Sequence, residues 1–365
     1  MKAPALARWD DKLRPWLVRL PGRLPIRLYS AGRPFFLDRL VGEPPPSRRP
    51  PESLRRVLWG LPFGFPLGNA AGMFKNGEGY ALAAAQGAGF YLAGTTTAQP
   101  RQGNHKHGIS RPFAPYPRTH GASNWLGLPN HGHRRVAERL SQLEKVEGCP
   151  VGASLTADPE GTEEERLEGL VEGMKLYAEA GVDFLEINES CPNTEQGASA
   201  EGELFRRLDT VRRRFLEHRD RTLPVVVKFS NDTAIDQLPA LMDMLLSLEF
   251  DGVNFGNTST RYDHWRSSID RSDRPLFDSF RRSFGGGFSG RPLKAVSLGL
   301  AERAAHYCQE RSTGTEFHVL RTGGVETLED LTSSQQAGVA LNGWFTGYFE
   351  AFAQHGHDLY EVLWQ

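Results

Sequence analysis

Eight short apolar runs, most of them followed by a stretch with helical spacing, constrain this chain more than any other feature. The runs are FPLGNAAG (65–72), GFYLAGTTT (89–97), CPVGASL (149–155), VDFLEIN (182–188), LPVVVKFS (223–230), FDGVNFGN (250–257), EFHVLRTGG (316–324) and AGVALNG (337–343). Between them lie patterns such as EEERLEGLVEGMKLYAEAG (163–181) and IDQLPALMDMLLSLE (235–249). Strands alternating with helices imply a parallel sheet. Runs that are continuously apolar, rather than alternating, suit strands buried on both faces. Eight such units predict an α/β chain folded as a (β/α)8 TIM barrel. An open doubly wound sheet is the competing arrangement, but no GxGxxG opens a helix after the first run.

The barrel is expected to occupy residues 58–365, with residues 1–57 as a small N-terminal helical extension and linker. Trp9, Leu13, Trp16, Leu17 and Leu20 recur at near-helical spacing among arginines. Pro21 and Gly22 interrupt them, a second segment covers about 26–41, and GEPPPSRRPP (42–51) reads as a linker. Residues 1–60 carry 13 Lys/Arg against 5 Asp/Glu, whereas the whole chain has a formal net charge of −1. That overall balance argues against nucleic acid as a partner. The local basic excess fits helices lying on a membrane or capping an apolar channel, and it equally fits a helical cap packed on the barrel. Cys149, Cys191 and Cys308 form no CxxC pair, which argues against a disulfide framework or zinc knuckle and fits a reducing compartment. No apolar run approaches the roughly 18 residues of a membrane span, and no secretory signal is visible. The expectation is a cytoplasmic protein, peripheral on the inner face of the cell membrane if residues 1–57 make that contact.

In such a barrel the chemistry sits at the C-terminal ends of the strands. The first run leads to Lys75 and the second ends in Thr95, Thr96 and Thr97. The fourth ends in NESCPNT with Asn188, Cys191 and Asn193, the fifth in Lys228, and the sixth in GNTST with Asn257 and Thr258. Gly323 and Gly324 close the seventh, and Thr346 follows the eighth. The acid pair of a glycosidase is missing from these ends, as are the His/Asp ligands of a metal hydrolase. His131 and His133 in HGH lack an obvious third ligand, so no metal is expected. Asparagines present donors and acceptors in a plane, which suits a flat ring of amides and carbonyls. Glycine-rich turns after the last strands suit a phosphate. Together these point to flavin chemistry on a small heterocycle.

The segments NAAGMFKNGE (69–78), AGTTTAQPRQGN (93–104), NWLGLPN (124–130), INESCPNT (187–194), VVVKFSND (225–232), GNTST (256–260), GGGFSGRPLK (285–294), RTGGV (321–325) and FTG (345–347) carry a resemblance. In this set and order, over about residues 58–350, the chain resembles the FMN-dependent dihydroorotate dehydrogenases. The extension and the AQPRQGN segment are similar to the quinone-using class, whereas LGLPN and the cysteine of SCPN are similar to the soluble class. The resemblance implies FMN held by Ala71, Thr95, Asn188, Lys228, Gly256, Gly290, Gly323, Gly324, Phe345 and Thr346. It implies dihydroorotate, and its product orotate, held by Lys75, Asn124, Leu126, Gly127, Leu128, Asn188, Asn193, Asn257 and Thr258. Cys191 is implied as the base and Lys228 as the cation that stabilises reduced flavin, with quinone as the acceptor and pyrimidine biosynthesis as the setting. Arg111 in SRPF matches a position near the flavin and the quinone channel. Phe74, Ser154, Trp125, Glu189 and the polar segment 259–289 depart from the family pattern. Another reduced heterocycle, or a non-catalytic flavin-binding homologue, stands as the alternative function.

Overall fold

A computed structural model describes residues 2–189, 198–219, 221–311 and 316–364. Eight parallel strands form one sheet: β1 (Leu67–Asn69), β2 (Tyr91–Thr96), β3 (Val151–Leu155), β4 (Phe184–Asn188), β5 (Val225–Phe229), β6 (Gly252–Phe255), β7 (His318–Thr322) and β8 (Leu341–Trp344). Each falls on one of the eight apolar runs. The order β1-β8-β7-β6-β5-β4-β3-β2 wraps the sheet into a barrel. β3 and β5 are buried at every position, as strands covered on both faces must be.

The seam between β1 and β2 is closed by a side chain. The buried Asn69 amide donates to the Leu92 carbonyl at 2.8 Å and accepts from the Leu92 amide at 3.3 Å. Gly89 N–H adds a bond to the Leu67 carbonyl at 2.9 Å. At the other end of the strands an antiparallel hairpin, Arg56–Leu58 with Leu61–Phe63, plugs the barrel. Its Leu58 and Phe63 join Phe90, Phe184, Leu320 and Leu341 in one apolar cluster.

Two of the outer helices begin at side-chain caps. Thr162 and Glu165 make a reciprocal capping box at the start of helix Glu163–Glu179. The segment 259–289, read from sequence as a polar excursion, has its own small core instead. Tyr262, Trp265, Ile269, Phe277, Phe280 and Phe288 pack together beneath a three-stranded sheet of Phe113–Tyr116, Gly121–Asn124 and Gly287–Gly290.

The N-terminal segment forms two helices, α1 (Ala3–Leu17) and α2 (Leu24–Val41). They bury Ala3, Ala7, Ile26 and Leu40, and Phe36 meets Phe349 and Phe352 edge-on at 6.2 and 6.0 Å. They leave Trp9, Trp16 and Phe35 at 58%, 71% and 57% exposure. The linker is pinned by Arg48, which pairs with Asp358 and Glu361. No helix among the described residues is long and apolar enough to cross a membrane.

Candidate active site

The C-terminal strand ends open into a cleft of about 310 Å³. Ala71 and Lys75 reach it from the loop after β1, Thr95 from β2, Asn188 from β4 and Lys228 from β5. Asn257 and Thr258 come from the loop after β6, Phe345 follows β8, and the 124–128 loop brings Asn124, Leu126, Gly127 and Leu128. Twelve residues expected from sequence thus share one lining. Gly256, Gly290, Gly323, Gly324 and Thr346 lie outside it, and Cys191 and Asn193 lie outside the described residues. At Gly256 a Cβ would sit 1.4 Å from the Thr322 carbonyl oxygen, so only glycine lets β6 and β7 approach there. Thr346 opens helix Thr346–His355, with its hydroxyl 3.1 Å from that of Ser289.

From the cleft floor downward runs a buried polar chain that spans five strands. The Asn188 amide donates to Thr95 Oγ1 at 2.9 Å, and the Thr95 and Ser154 hydroxyls meet at 3.0 Å. Ser154 Oγ donates to Glu186 Oε1 at 2.9 Å, and Asn254 Nδ2 donates to Glu186 Oε2 at 2.8 Å. Lys228 Nζ stands 3.7 Å from Glu186, both side chains only 2% exposed. Glu186 escaped the sequence reading, which looked for acids at strand ends. The available signal was a carboxylate between Leu185 and Ile187, within the apolar stretch FLEI (184–187). Burial, reinforced by Arg33, pushes the Lys75 ammonium down to about 7, with Arg111 and Lys228 adding to the effect and Glu78 opposing it.

Other sequence features have structural roles. His133 is buried, its Nδ1 lies 2.9 Å from Thr96 Oγ1, and burial pushes it down to about 3. His131 is exposed. Phe74 stacks on Tyr91, and Glu189 pairs with Arg207 at 2.8 Å. Trp125 lines the cleft.

The family model described as dihydroorotate dehydrogenase matches residues 53–356. The chain belongs to the dihydroorotate dehydrogenase family. Among similar proteins, "Dihydroorotate dehydrogenase (quinone)" of Halorhodospira halophila is 31% identical, over 83% of each chain. The protein of the same name from Thermobifida fusca is 30% identical, over 82% of this chain and 75% of its own. Crystal structures of DHODH from Eimeria tenella share the fold. The ferulenol complex superposes with a TM-score of 0.74 at 21% identity, over 92% of this chain and 89% of that one. The ligand-free form gives 0.76 at 22% identity, over 91% and 93%.

Dihydroorotate dehydrogenases are flavin enzymes, and the residues here fit a phosphate-bearing flavin. Arg321, fully buried, donates to Ser297 Oγ at 3.0 Å, Ser334 Oγ at 2.8 Å and the Lys294 carbonyl at 2.9 Å. It thereby ties the Gly323–Gly324 turn to the start of helix Lys294–Glu310. A Cβ on Gly324, at φ +69°, would lie 2.6 Å from the Lys294 backbone. Beside this turn the buried Asn231 has no hydrogen-bond partner for either amide atom among the described residues. Such an amide can take a polar group of a ligand as its partner. Asn231 lies in VVVKFSND (225–232) and Arg321 in RTGGV (321–325), and neither had a role by sequence alone.

A second cavity, about 410 Å³ and mostly apolar, runs beneath α1 and α2. Leu6, Leu17, Leu28, Phe36 and Phe349 contribute to its wall, and Asp10, Arg14 and Tyr29 form a hydrogen-bonded group on it. Phe345 borders both this channel and the polar cleft. Arg33 from α2 covers that junction, 3.2 Å from the Gly72 carbonyl and over the Phe345 ring.

Proposed function

We propose that this protein oxidises (S)-dihydroorotate to orotate, a step of pyrimidine biosynthesis, with FMN as cofactor and a quinone as electron acceptor. One observation carries the reading. A polar cleft suited to a flat anionic ring and an apolar channel suited to a lipophilic acceptor meet at Phe345. The relatives named for quinone use support it. On this reading residues 58–365 are the catalytic barrel and residues 1–57 serve the acceptor.

Ala71, Thr95, Asn188, Lys228, Gly256 and Phe345 would hold the flavin end of FMN. Gly290, Gly323, Gly324 and Thr346 would hold its phosphate end, with Asn231 beside them. FMN bound there supplies a two-electron hydride acceptor. Lys75 holds the substrate carboxylate. Asn124, Asn188, Asn193, Asn257 and Thr258 match the ring's amides and carbonyls, and Leu126, Gly127 and Leu128 shape the opposite wall. Forming the C5–C6 double bond requires loss of a proton from C5, which Cys191 takes as thiolate, and of a hydride from C6, which bound FMN would accept. Lys228 places a cation where reduced flavin gains negative charge. The basic extension with its exposed Trp9 and Trp16 suits peripheral contact with an anionic membrane.

The test is anaerobic. Dihydroorotate is expected to bleach the flavin absorbance, and a short-chain quinone to restore it. A flavin that dihydroorotate leaves oxidised would overturn the reading.

A pH dependence follows from Lys75. It is cationic below about 7 and neutral above, so its hold on a carboxylate weakens as pH rises. A charge-assisted bond of this kind predicts a rise in KM for dihydroorotate of roughly tenfold between pH 6 and 9. Meanwhile kcat climbs as the thiol, with an ordinary pKa of about 8.5, ionises. Lys75→Met should raise KM at pH 6 and flatten its pH profile. A KM independent of pH in the wild-type enzyme would remove Lys75 from the carboxylate site.

A further inference from the structure

We infer that Glu186 is a positioning residue that sets the reduction potential of the bound flavin by acting through Lys228. The inference rests on FMN occupying the cleft as proposed above. Glu186 does not line that cleft. It projects from β4 into the barrel, one layer below, among Phe90, Leu92, Phe184 and Leu320.

Two features separate this arrangement from an ordinary buried ion pair. Each carboxylate oxygen already accepts a bond from a neutral donor, Ser154 Oγ at 2.9 Å and Asn254 Nδ2 at 2.8 Å. At 3.7 Å the Lys228 ammonium is too distant to be a third donor, so its hydrogens remain available to the cleft, which Lys228 lines. The strand register locks this geometry, because Ser154 pairs with Glu186 and Asn254 pairs with Lys228 across adjacent strands. The carboxylate therefore balances the lysine charge without occupying its donors.

The consequence is electrostatic. In a dry site, charges a few ångströms apart interact strongly. Negative charge gained by a flavin above Lys228 is attracted by the ammonium and repelled by the carboxylate behind it. Glu186 therefore holds the potential below the value Lys228 alone would impose. That keeps the reduced cofactor willing to pass its electrons on.

The experiment is potentiometric titration of FMN-loaded protein at one fixed pH. Glu186→Gln keeps the shape and loses the charge. It should shift the equilibrium toward reduced flavin about tenfold, a positive shift of about 30 mV for a two-electron couple. Glu186→Asp keeps the charge and should stay within about threefold of wild type. An unchanged or more negative potential in Glu186→Gln would overturn the inference. If Glu186→Gln alone does not fold, Lys228→Met compared with Glu186→Gln/Lys228→Met reads the same carboxylate. There the double variant should have the higher potential, and equal potentials would overturn the inference. Wild-type protein that binds no FMN would overturn the cofactor reading itself. A flavin-loaded wild type with an insensitive potential would overturn only the role of Glu186.

Discussion

Cys191→Ala should retain FMN and lose flavin reduction by dihydroorotate by roughly 10²–10⁴-fold, the usual contribution of a positioned general base. The substitution removes the group that takes the C5 proton and keeps the buried polar chain of Thr95, Ser154, Glu186, Asn254 and Lys228. Cofactor binding and catalysis should therefore separate cleanly. Cys191→Ser should keep partial activity with its pH profile moved upward, because a hydroxyl gives up its proton less readily than a thiol. Stopped-flow bleaching of the flavin across pH is the measurement. A loss smaller than about tenfold in the alanine variant would assign the base elsewhere.

Removing residues 1–41 should separate the two half-reactions. The cut deletes α1 and α2 but spares Arg48 and its pairs with Asp358 and Glu361. The residues proposed to hold flavin and dihydroorotate all lie in the barrel, so bleaching by dihydroorotate should persist. The apolar channel loses the wall built by Leu6, Leu17, Leu28 and Phe36. Losing about 100 Å² of apolar contact costs roughly 2.5 kcal/mol, so quinone turnover should fall by roughly 100-fold, together with binding to anionic liposomes. The cysteine of SCPN leans toward a different outcome, in which the helices only stabilise the barrel and the acceptor is soluble. Steady-state assays of both proteins with a short-chain quinone, fumarate and NAD decide between them. Full-length protein active with fumarate and inactive with quinone would end the quinone reading.

Each barrel strand was legible because a strand buried on both faces must be apolar along its length, and that is a local property. The cleft residues were legible for a related reason. In a parallel barrel the functional side chains sit where the apolar runs stop, so Lys75, Thr95, Asn188, Lys228 and Asn257 could be read in order. The two N-terminal helices were visible as spacing, and capping an apolar channel was one role open to them, but the walls of that channel were not legible. It exists only where their apolar faces meet Phe113, Phe345 and Phe349.

Segment 259–289 misled for the opposite reason. Its apolar residues are dispersed over the short helices Tyr262–Trp265 and Arg274–Ser283, with arginines between. Only when Phe277 meets Tyr116 and Phe288, at 5.6 and 5.5 Å, does a core emerge. Glu186 is the sharpest case. By itself the sequence determined that a carboxylate and an ammonium lie inside two apolar strands. That they stand 3.7 Å apart, with Ser154 and Asn254 on the carboxylate, was decided by the register of β3, β4, β5 and β6. Alternation along a strand is set by neighbours in the chain. Which residues face each other across strands is settled only when the whole barrel closes.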